Sequence, residues 1–277
     1  MNPVNNYKIS AIYIYPIKSI GGIPLQSSFA EERGLKYDRR WMLVDEENKF
    51  ITQRTQPQMA LLQVEINETH LVIKHKLNKI PPLQIPLSSK SNEEINVQVW
   101  KDNVTALAYD DDINNWFSEA IGVKCKLVYM PLSTKRWVDP KYAADKTVGF
   151  ADGYPFMIIG EESLNDLNNK LKHPVPVIRF RPNFVFSGGN PFDEDDWKHF
   201  EIGAIKFLAV KPCARCVIPT VDPETGVKGK EPLKTLATFR KRGEKVMFGM
   251  NLVAENTGTI NLGDKIFVLQ KNIQSTP

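Results

Sequence analysis

The sequence has little cysteine, no long apolar run and little net charge. Its three cysteines in 277 residues are an odd number and too few for the disulfide framework of a small secreted protein, so reduced thiols are expected. No stretch approaches the ~18 consecutive apolar residues of a membrane span. Residues 1–6 carry neither the basic cluster nor the apolar segment of a targeting peptide. We therefore expect a cytoplasmic protein without a membrane segment.

The charge balance argues against one class of partner. Lysine and arginine total 36 against 32 acidic residues, and the basic residues are scattered, so there is little electrostatic attraction for nucleic acid. The chain is 42% hydrophobic and 25% charged, which is typical of globular proteins. Its 277 residues exceed the ~100–200 residues of an ordinary domain, so two domains are expected.

The apolar pattern predicts a β-rich first half. Short runs of β-branched and aromatic residues alternate with polar turn clusters such as residues 46–48 and 101–103, which is typical of antiparallel strands joined by hairpins. A sandwich or small barrel is the expected arrangement. The predicted strands cover residues 9–17, 41–45, 50–54, 61–66, 71–75, 95–100 and 104–109.

Helical periodicity begins after residue 110. Apolar residues spaced over 113–121, with aspartates before them and Gly122 after them, predict an amphipathic helix. Two more helices are predicted over residues 164–171 and 233–242. The fold class is therefore α+β and β-rich, with a domain boundary within residues 130–146. Strands of the second domain are predicted at residues 184–186, 205–211, 252–255 and 265–269.

The densest chemical signal is KPCARCVIPTVDPETG at residues 211–226, in which Cys213 and Cys216 follow an apolar strand. The alternatives are a zinc site, a dithiol pair, a single thiolate ligand and buried cysteines acting as small hydrophobes. The histidines are too scattered for zinc, and a thioredoxin-like dithiol belongs at an early strand-to-helix turn. A thiolate ligand for a transition metal, with its pKa lowered by Arg215 and by further arginines that folding brings in, stays open, as does the buried-cysteine alternative.

Two further clusters could bind an anion. In RFRPNFVFSGG, Arg179 and Arg181 would lie on one face of an extended segment, and paired guanidinium groups match phosphate oxygens. Salt bridges to the acidic run at residues 193–196 would explain them equally well. In YPIKSIGG, Lys18 and Ser19 offer a cation, a hydroxyl and exposed backbone amides of the kind that hold phosphate.

Taken together and in this order, six segments resemble the MOSC family: YPIKSIGG, GLKYDRRWMLVDEE, FITQR, RFRPNFVFSGG, CARCVIPTVDPETG and FGMNLVAENTGTINLGD. The resemblance runs from residue 7 to residue 269. It is to chains that join an N-terminal MOSC β-barrel to a MOSC domain. It implies an antiparallel barrel-like domain at residues 7–130, a connection at 131–146, and a mixed β-barrel domain with peripheral helices at 147–271.

The resemblance also implies a cofactor. In similar proteins, which include the mitochondrial amidoxime-reducing component and bacterial reductases of N-hydroxylated compounds, a molybdenum cofactor with a pterin dithiolene lies between the two halves. By motif position, the metal ligand and catalytic residue is Cys216, whereas Cys213 is not a ligand. Asn251 departs from the tyrosine of the mitochondrial proteins. The implied cofactor contacts are Lys18, Ser19, Arg39, Gly153, Tyr154, Arg181, Asn183, Ala214, Arg215 and Asn251.

The function that the resemblance implies is molybdenum-dependent reduction of N-hydroxylated small molecules by cleavage of the N–O bond. No cysteine follows Cys216 that could build an iron–sulfur module, so a separate electron-donor protein of ferredoxin, flavoprotein or cytochrome type is expected. The alternative is a carrier that transfers molybdenum cofactor or persulfide sulfur without any turnover of its own.

Overall fold

A computed structural model describes residues 6–87 and 93–272, so most of the 1–6 segment lies outside the described residues. The helices are Asp111–Ile121 (α1), Glu161–Asn168 (α2) and Leu233–Leu236 (α3). The strands of the first half are Lys8–Ile14 (β1), Ile23–Leu25 (β2), Ser27–Glu31 (β3), Gly34–Leu35 (β4), Trp41–Val44 (β5), Leu62–Ile66 (β6), His70–His75 (β7), Leu83–Pro86 (β8), Glu94–Val99 (β9), Asp102–Ala108 (β10) and Lys126–Tyr129 (β11).

Strands continue through the second half of the chain, and the fold class predicted from the sequence is confirmed. The first half is built of antiparallel pairs, whereas the second half is mixed because β12 runs parallel to β13. These later strands are Phe156–Gly160 (β12), Phe184–Ser187 (β13), Trp197–Ile202 (β14), Ile205–Ala214 (β15), Lys241–Arg242 (β16), Lys245–Ala254 (β17), Gly258–Asn261 (β18) and Ile266–Lys271 (β19).

The largest sheet joins both halves of the chain. Its strand order is β19-β14-β15-β17-β12-β13-β1-β2, and β16 pairs with β17. The antiparallel pairing of β1 with β13 places Ile12 opposite Phe184. The predicted domain of residues 7–130 therefore contributes its first two strands to the sheet of the second half. The boundary at residues 131–146 divides the chain but not this sheet.

Three smaller sheets complete the fold. Two of them, β5-β11-β10-β9 and β6-β7-β8, are built from the first half, and the third, β18-β3-β4, again combines both halves. Aromatic side chains fill the centre of the largest sheet, where Phe184 stacks on Phe156 and packs edge-on against Phe207. Burial of each such side chain contributes about 1.5–3 kcal/mol. In the described part of the chain, no helix is long and apolar enough to cross a membrane.

The helix predicted over residues 113–121 is confirmed, and the sequence carries a capping signal at each of its ends. Helix α1 begins where Asp110 accepts a hydrogen bond from the Ile113 N–H at 3.1 Å, and it ends at Gly122 with φ 71°. The prediction of a helix over 233–242 is wrong beyond residue 236, because residues 241–242 pair with β17 as a short hairpin. The predicted strand at 50–54 is also wrong, since only an isolated bridge forms there at Phe50.

A buried carboxyl group fixes the start of α2. Glu194 is 0% exposed, and its carboxyl oxygens accept hydrogen bonds from the Gly160 N–H at 3.2 Å and the Ser163 hydroxyl at 2.8 Å. Gly160 is the N-cap of α2, so the carboxyl group lies at the positive end of the helix dipole. Burial raises the pKa of Glu194 to about 7 in spite of these hydrogen bonds.

We predict that Glu194→Gln removes a pH-dependent loss of stability. Because the folded-state pKa of about 7 exceeds the ordinary 4.5, the group's contribution is fully present below pH 4.5 and is lost as the pH rises toward 7. The loss is at most about 3 kcal/mol. Thermal unfolding at about pH 5 and about pH 8 should show the Gln variant gaining stability relative to wild type at the higher pH.

The control for this measurement is Glu244→Gln, which changes a side chain that is 94% exposed. This control should follow the wild-type pH profile. If the Glu194→Gln profile also runs parallel to wild type, the buried carboxyl group does not limit stability at neutral pH.

Candidate functional site

A cavity of about 120 Å³ lies between the two halves of the chain. It brings together every residue that the sequence analysis assigned to a cofactor. Their convergence is observed, whereas their role in binding stays a prediction. These lining residues are Lys18, Ser19, Arg39, Gly153, Tyr154, Arg181, Asn183, Ala214, Arg215, Cys216 and Asn251.

Backbone geometry at the cavity is unusual. Ser19, Arg39 and Arg181 have φ values of 64°, 48° and 57°, in the left-handed region that favours glycine. Each such residue costs about 1–3 kcal/mol of strain and persists only where the surroundings hold it in place. Left-handed residues of this kind are concentrated at functional sites. Here, all three line the same cavity.

Two arginines contact the ring of Tyr15. The guanidinium groups of Arg39 and Arg181 lie 4.3 and 4.2 Å from the ring centroid. Arg39 also donates to Asp38 at 2.6 Å and to the Arg181 carbonyl at 3.0 Å. Burial lowers the pKa of Arg181 to about 10, and the nearby charge of Arg39 adds to this effect. The cavity therefore holds buried positive charge that the protein neutralises only in part.

The prediction that Arg179 and Arg181 lie on one face of an extended segment is wrong. Residues Val177–Phe180 form a 3-10 turn rather than a strand, and this turn separates the two side chains. Arg179 pairs with Asp222 at 2.5 Å, whereas Arg181 donates to the Ile20 carbonyl at 2.6 Å and lines the cavity. No salt bridge between either arginine and the 193–196 run is found among the described residues.

Asp152 connects two cations at the edge of the cavity. Lys18 Nζ donates to Asp152 at 2.6 Å and to the Phe150 carbonyl at 2.7 Å, and Arg54 donates to Asp152 at 2.5 Å. Burial lowers the pKa of Lys18 to about 8, although Asp152 opposes the shift. Desolvation alone would raise the pKa of Asp152, but Lys18 and Arg54 together hold it well below its usual value.

The loop that carries Asp152 is held by Arg136. This buried guanidinium group donates to the carbonyls of Gly149 at 3.0 Å, Ala151 at 2.5 Å and Asp152 at 3.0 Å. It also donates to the carboxylate of Asp102 at 2.8 Å. Because one planar group binds three carbonyls of this loop, the backbone position of Asp152 is set independently of its side-chain ion pairs.

Cys216 is partly buried and lines the cavity, and its thiol interacts with the Arg54 guanidinium group. The expected cation, Arg215, instead donates to Cys213 Sγ at 3.1 Å and to the Phe180 carbonyl at 2.7 Å. Folding therefore brings a further arginine, Arg54, to the Cys216 thiol, while Arg215 contacts the neighbouring Cys213. In residues 6–87 and 93–272, no group of three or more His, Cys, Asp or Glu side chains could hold a metal.

Three residues of this region were not assigned from the sequence. Arg54 belongs to the FITQR segment, one of the six motifs, to which the sequence assigns no specific role. Asp152 immediately precedes Gly153. Trp100 is the last residue of the strand predicted at residues 95–100. Trp100 Nε1 donates to Asp152 at 3.3 Å, so all three lie in one contact network. The sequence places these residues within or next to assigned motifs. This position indicates that they lie near the cavity, but it does not indicate which charges pair.

Trp100 adopts a strained turn. Trp100 and Lys101 form the two-residue connection between β9 and β10, in which Asp102 pairs with Val99. The φ of Trp100 is 57°, a conformation that costs a non-glycine residue roughly 1–2 kcal/mol. Its ring lies 5.0 Å from that of Phe50 and 4.8 Å from the Arg54 guanidinium carbon. These contacts fix an indole that is 43% exposed.

We predict that Asp152→Asn lowers the free energy of unfolding at neutral pH by about 1–2 kcal/mol, because Lys18 and Arg54 lose their shared counter-ion. Denaturant titration measures the change. A lowered folded-state pKa means that Asp152 stabilises the fold above its ordinary pKa of 3.8 and loses this effect as the pH falls, so the difference from wild type should shrink in acid. Glu119→Gln, an exposed change on α1, should alter stability little at any pH.

We predict that a thiol-alkylating reagent distinguishes the three cysteines in the folded protein. Cys213 and Cys216 are partly exposed and should react, whereas Cys125 is 4% exposed and burial raises its pKa to about 11. Peptide mapping by mass spectrometry after brief treatment with iodoacetamide measures this selectivity. Unfolding in denaturant should expose all three thiols, and rapid labelling of Cys125 in the native protein would contradict the structure.

Sequence comparison identifies relatives of the whole chain. The mitochondrial amidoxime-reducing component 1 of Mus musculus is 30% identical over 94% of this chain and 82% of its own length. A molybdenum cofactor sulfurase of Oryza sativa subsp. japonica is 32% identical over 91% of this chain but only 33% of its own length. Among solved structures, the YUAD protein from Bacillus subtilis aligns over 94% of both chains, with 12% identity and a TM-score of 0.43.

Two family descriptions match consecutive parts of the chain. The MOSC N-terminal beta barrel domain matches residues 6–124. The MOSC domain matches residues 145–267. The chain belongs to the MOSC family and combines both of its domains.

Proposed function

We propose that this protein binds a molybdenum cofactor through Cys216 and reduces N-hydroxylated small molecules with it. The observation that carries the proposal is the partly buried Cys216 thiol, which lies with Cys213 in a cavity that also contains buried guanidinium N–H groups without partners. The similarity to an amidoxime-reducing component along 94% of this chain and 82% of the relative supports the reaction class.

The cavity residues fit a group that combines a metal with an anion. A thiolate is a soft ligand that suits a transition metal, and Cys216 provides it. Among the described residues, Arg181 Nη2 and Arg215 Nε are buried without a hydrogen-bond partner. Each unpaired donor costs roughly 1–3 kcal/mol, so an anionic ligand in this cavity would relieve a cost that the protein otherwise carries.

The cavity residues would divide the task of holding the cofactor. Cys216 would ligate the metal, while Ser19 and the free N–H groups of Arg181 and Arg215 would bind polar groups of the pterin and its phosphate. Arg39 is already paired with Asp38, so it would contribute positive potential more than free donors. When bound, the cofactor would supply the oxygen-atom redox chemistry that no protein side chain performs.

The other residues would control charge around the sulfur. Arg54 interacts with the Cys216 thiol, so it places a positive charge beside the sulfur. Asp152 holds Arg54 in this position and at the same time pairs with Lys18. With a pKa of about 8, Lys18 retains a proton on Nζ at neutral pH. Electrons would come from a separate donor protein.

A second candidate function has its own support. The molybdenum cofactor sulfurase of Oryza sativa is 32% identical to this chain, although the match spans only a third of the sulfurase. A carrier that transfers cofactor or persulfide sulfur would use the same thiol and the same cavity. The two functions differ in turnover, because a carrier would bind molybdenum without reducing any N-hydroxylated compound.

We predict that Cys216→Ala abolishes reduction of benzamidoxime. Protein is produced in a host that makes molybdenum cofactor, the molybdenum-to-protein ratio is measured by elemental analysis, and turnover is measured with a reduced dye. Wild type should approach about one molybdenum per chain, while the variant should lose the metal and all activity. Cys125→Ala is the matched control, because Cys125 lies in the core of the first half and away from the cavity.

The outcomes separate the alternatives. Molybdenum bound by wild type without reduction of benzamidoxime would favour the carrier. No molybdenum in protein from a competent host, or full activity of the Cys216→Ala variant, would contradict the proposed site.

A further inference from the structure

A second, wider cavity opens beside the Cys216 cavity and shares Asp152, Gly153 and Tyr154 with it. We call it the vestibule; its walls also include Trp100 and Trp137. Its volume of about 550 Å³ lies within the range of about 300–1,000 Å³ that is typical of small-molecule sites. The vestibule therefore adjoins the cavity that contains Cys216.

The walls of the vestibule expose large aromatic side chains. Trp100 is 43% exposed and Trp137 is 55% exposed. Exposed apolar groups that line a concave surface commonly mark a binding site, because water contacts them at a cost that a ligand removes. Tryptophan faces bind planar rings by offset stacking or edge-to-face contact. The vestibule therefore suits a ligand with a planar aromatic part.

Trp100 is held in place although it is exposed. Its ring contacts Phe50 and the Arg54 guanidinium group, and its Nε1 donates to Asp152. Trp100 occupies the first position of a two-residue hairpin turn with φ 57°, where glycine is the favoured residue. Turn formation therefore does not require tryptophan. The turn geometry therefore does not account for the tryptophan, whereas its contacts with Phe50, Arg54 and Asp152 hold the indole at the wall of the vestibule.

We infer that the vestibule binds a planar aromatic substituent of the substrate against the indoles of Trp100 and Trp137, with its N-hydroxylated group directed past Asp152 toward Cys216. The inference rests on the proposed function and adds a preference for aromatic over aliphatic substrates. The two tryptophans are specificity-determining residues, since they contact the substituent and not the reacting atoms.

The kinetic test compares benzamidoxime with acetamidoxime, which carries the same reactive group without a ring. In the holoenzyme, Trp100→Gly and Trp137→Ala should each lower the ratio of the two kcat/KM values on the order of fivefold, because stacking is lost only for the aromatic substrate. Phe267→Ala is the matched control: this ring is 54% exposed, lies on β19 and does not line the vestibule. Its ratio should equal that of wild type.

Two further measurements keep the test decisive. Trp100→Gly should fold with a thermal midpoint within about 4 °C of wild type, because glycine favours the positive φ of the turn. Saturation-transfer NMR with benzamide, a planar compound without an N–O bond, reports binding without turnover. Its signal should be strong in wild type and Phe267→Ala and weak in both tryptophan variants.

An unchanged kinetic ratio in both tryptophan variants, or equal benzamide signals in all four proteins, would overturn the inference. If wild type reduced neither amidoxime, the proposed function would fail. Loss of the benzamide signal in the tryptophan variants would still support the vestibule as a site for planar aromatic ligands.

Discussion

The pairing of β1 with β13 is the interaction on which the rest of the structure depends. Next to the ladder pair of Ile12 and Phe184, the Tyr13 N–H donates to the Asn183 carbonyl at 2.8 Å, and the Asn183 side-chain amide donates to the Tyr13 carbonyl at 3.2 Å. This ladder holds the first strand inside the sheet of the second half. The loop after β1 then brings Lys18 to the strand ends that carry Cys216. Without the pairing of β1 with β13, Lys18 and Arg39 of the first half would not lie in one cavity with Cys216 of the second half.

The cavity concentrates buried positive charge around the thiols of Cys213 and Cys216. Asp38 and Asp152 pair with Arg39, Lys18 and Arg54, while Arg181 Nη2 and Arg215 Nε, on two arginines that line the cavity, are buried without an acceptor in the described part of the chain. A low-dielectric cavity with this imbalance attracts an anion more strongly than exposed arginines would. The same region also opens to solvent beside Asp152, so one carboxylate lies between the charged interior and the aromatic entrance.

Sequence patterns predicted the elements whose formation depends on interactions between residues close together in the chain. Helix α1 follows from its apolar spacing and its caps, and the six motifs together indicated Cys216 and the residues around it. The third helix was predicted too long because the β16–β17 hairpin depends on a partner strand that periodicity does not reveal. The partners of Arg179, Arg215 and Asp152 were missed, since contacts between side chains far apart in the sequence depend on tertiary geometry. The φ of Trp100 likewise has no sequence signature.

The placement of β1 also sets the order in which the protein can be completed during translation. Tyr13 and Asn183 are separated by 170 positions, so the first strand leaves the ribosome long before its partner exists. At roughly 5–20 residues per second, this delay is about 10–30 seconds. During this delay, the edge of β1 that pairs with β13 in the folded protein has no partner. The cavity between the halves can therefore form only after synthesis of the second half is well advanced, and until then this strand edge is open to pairing with another chain.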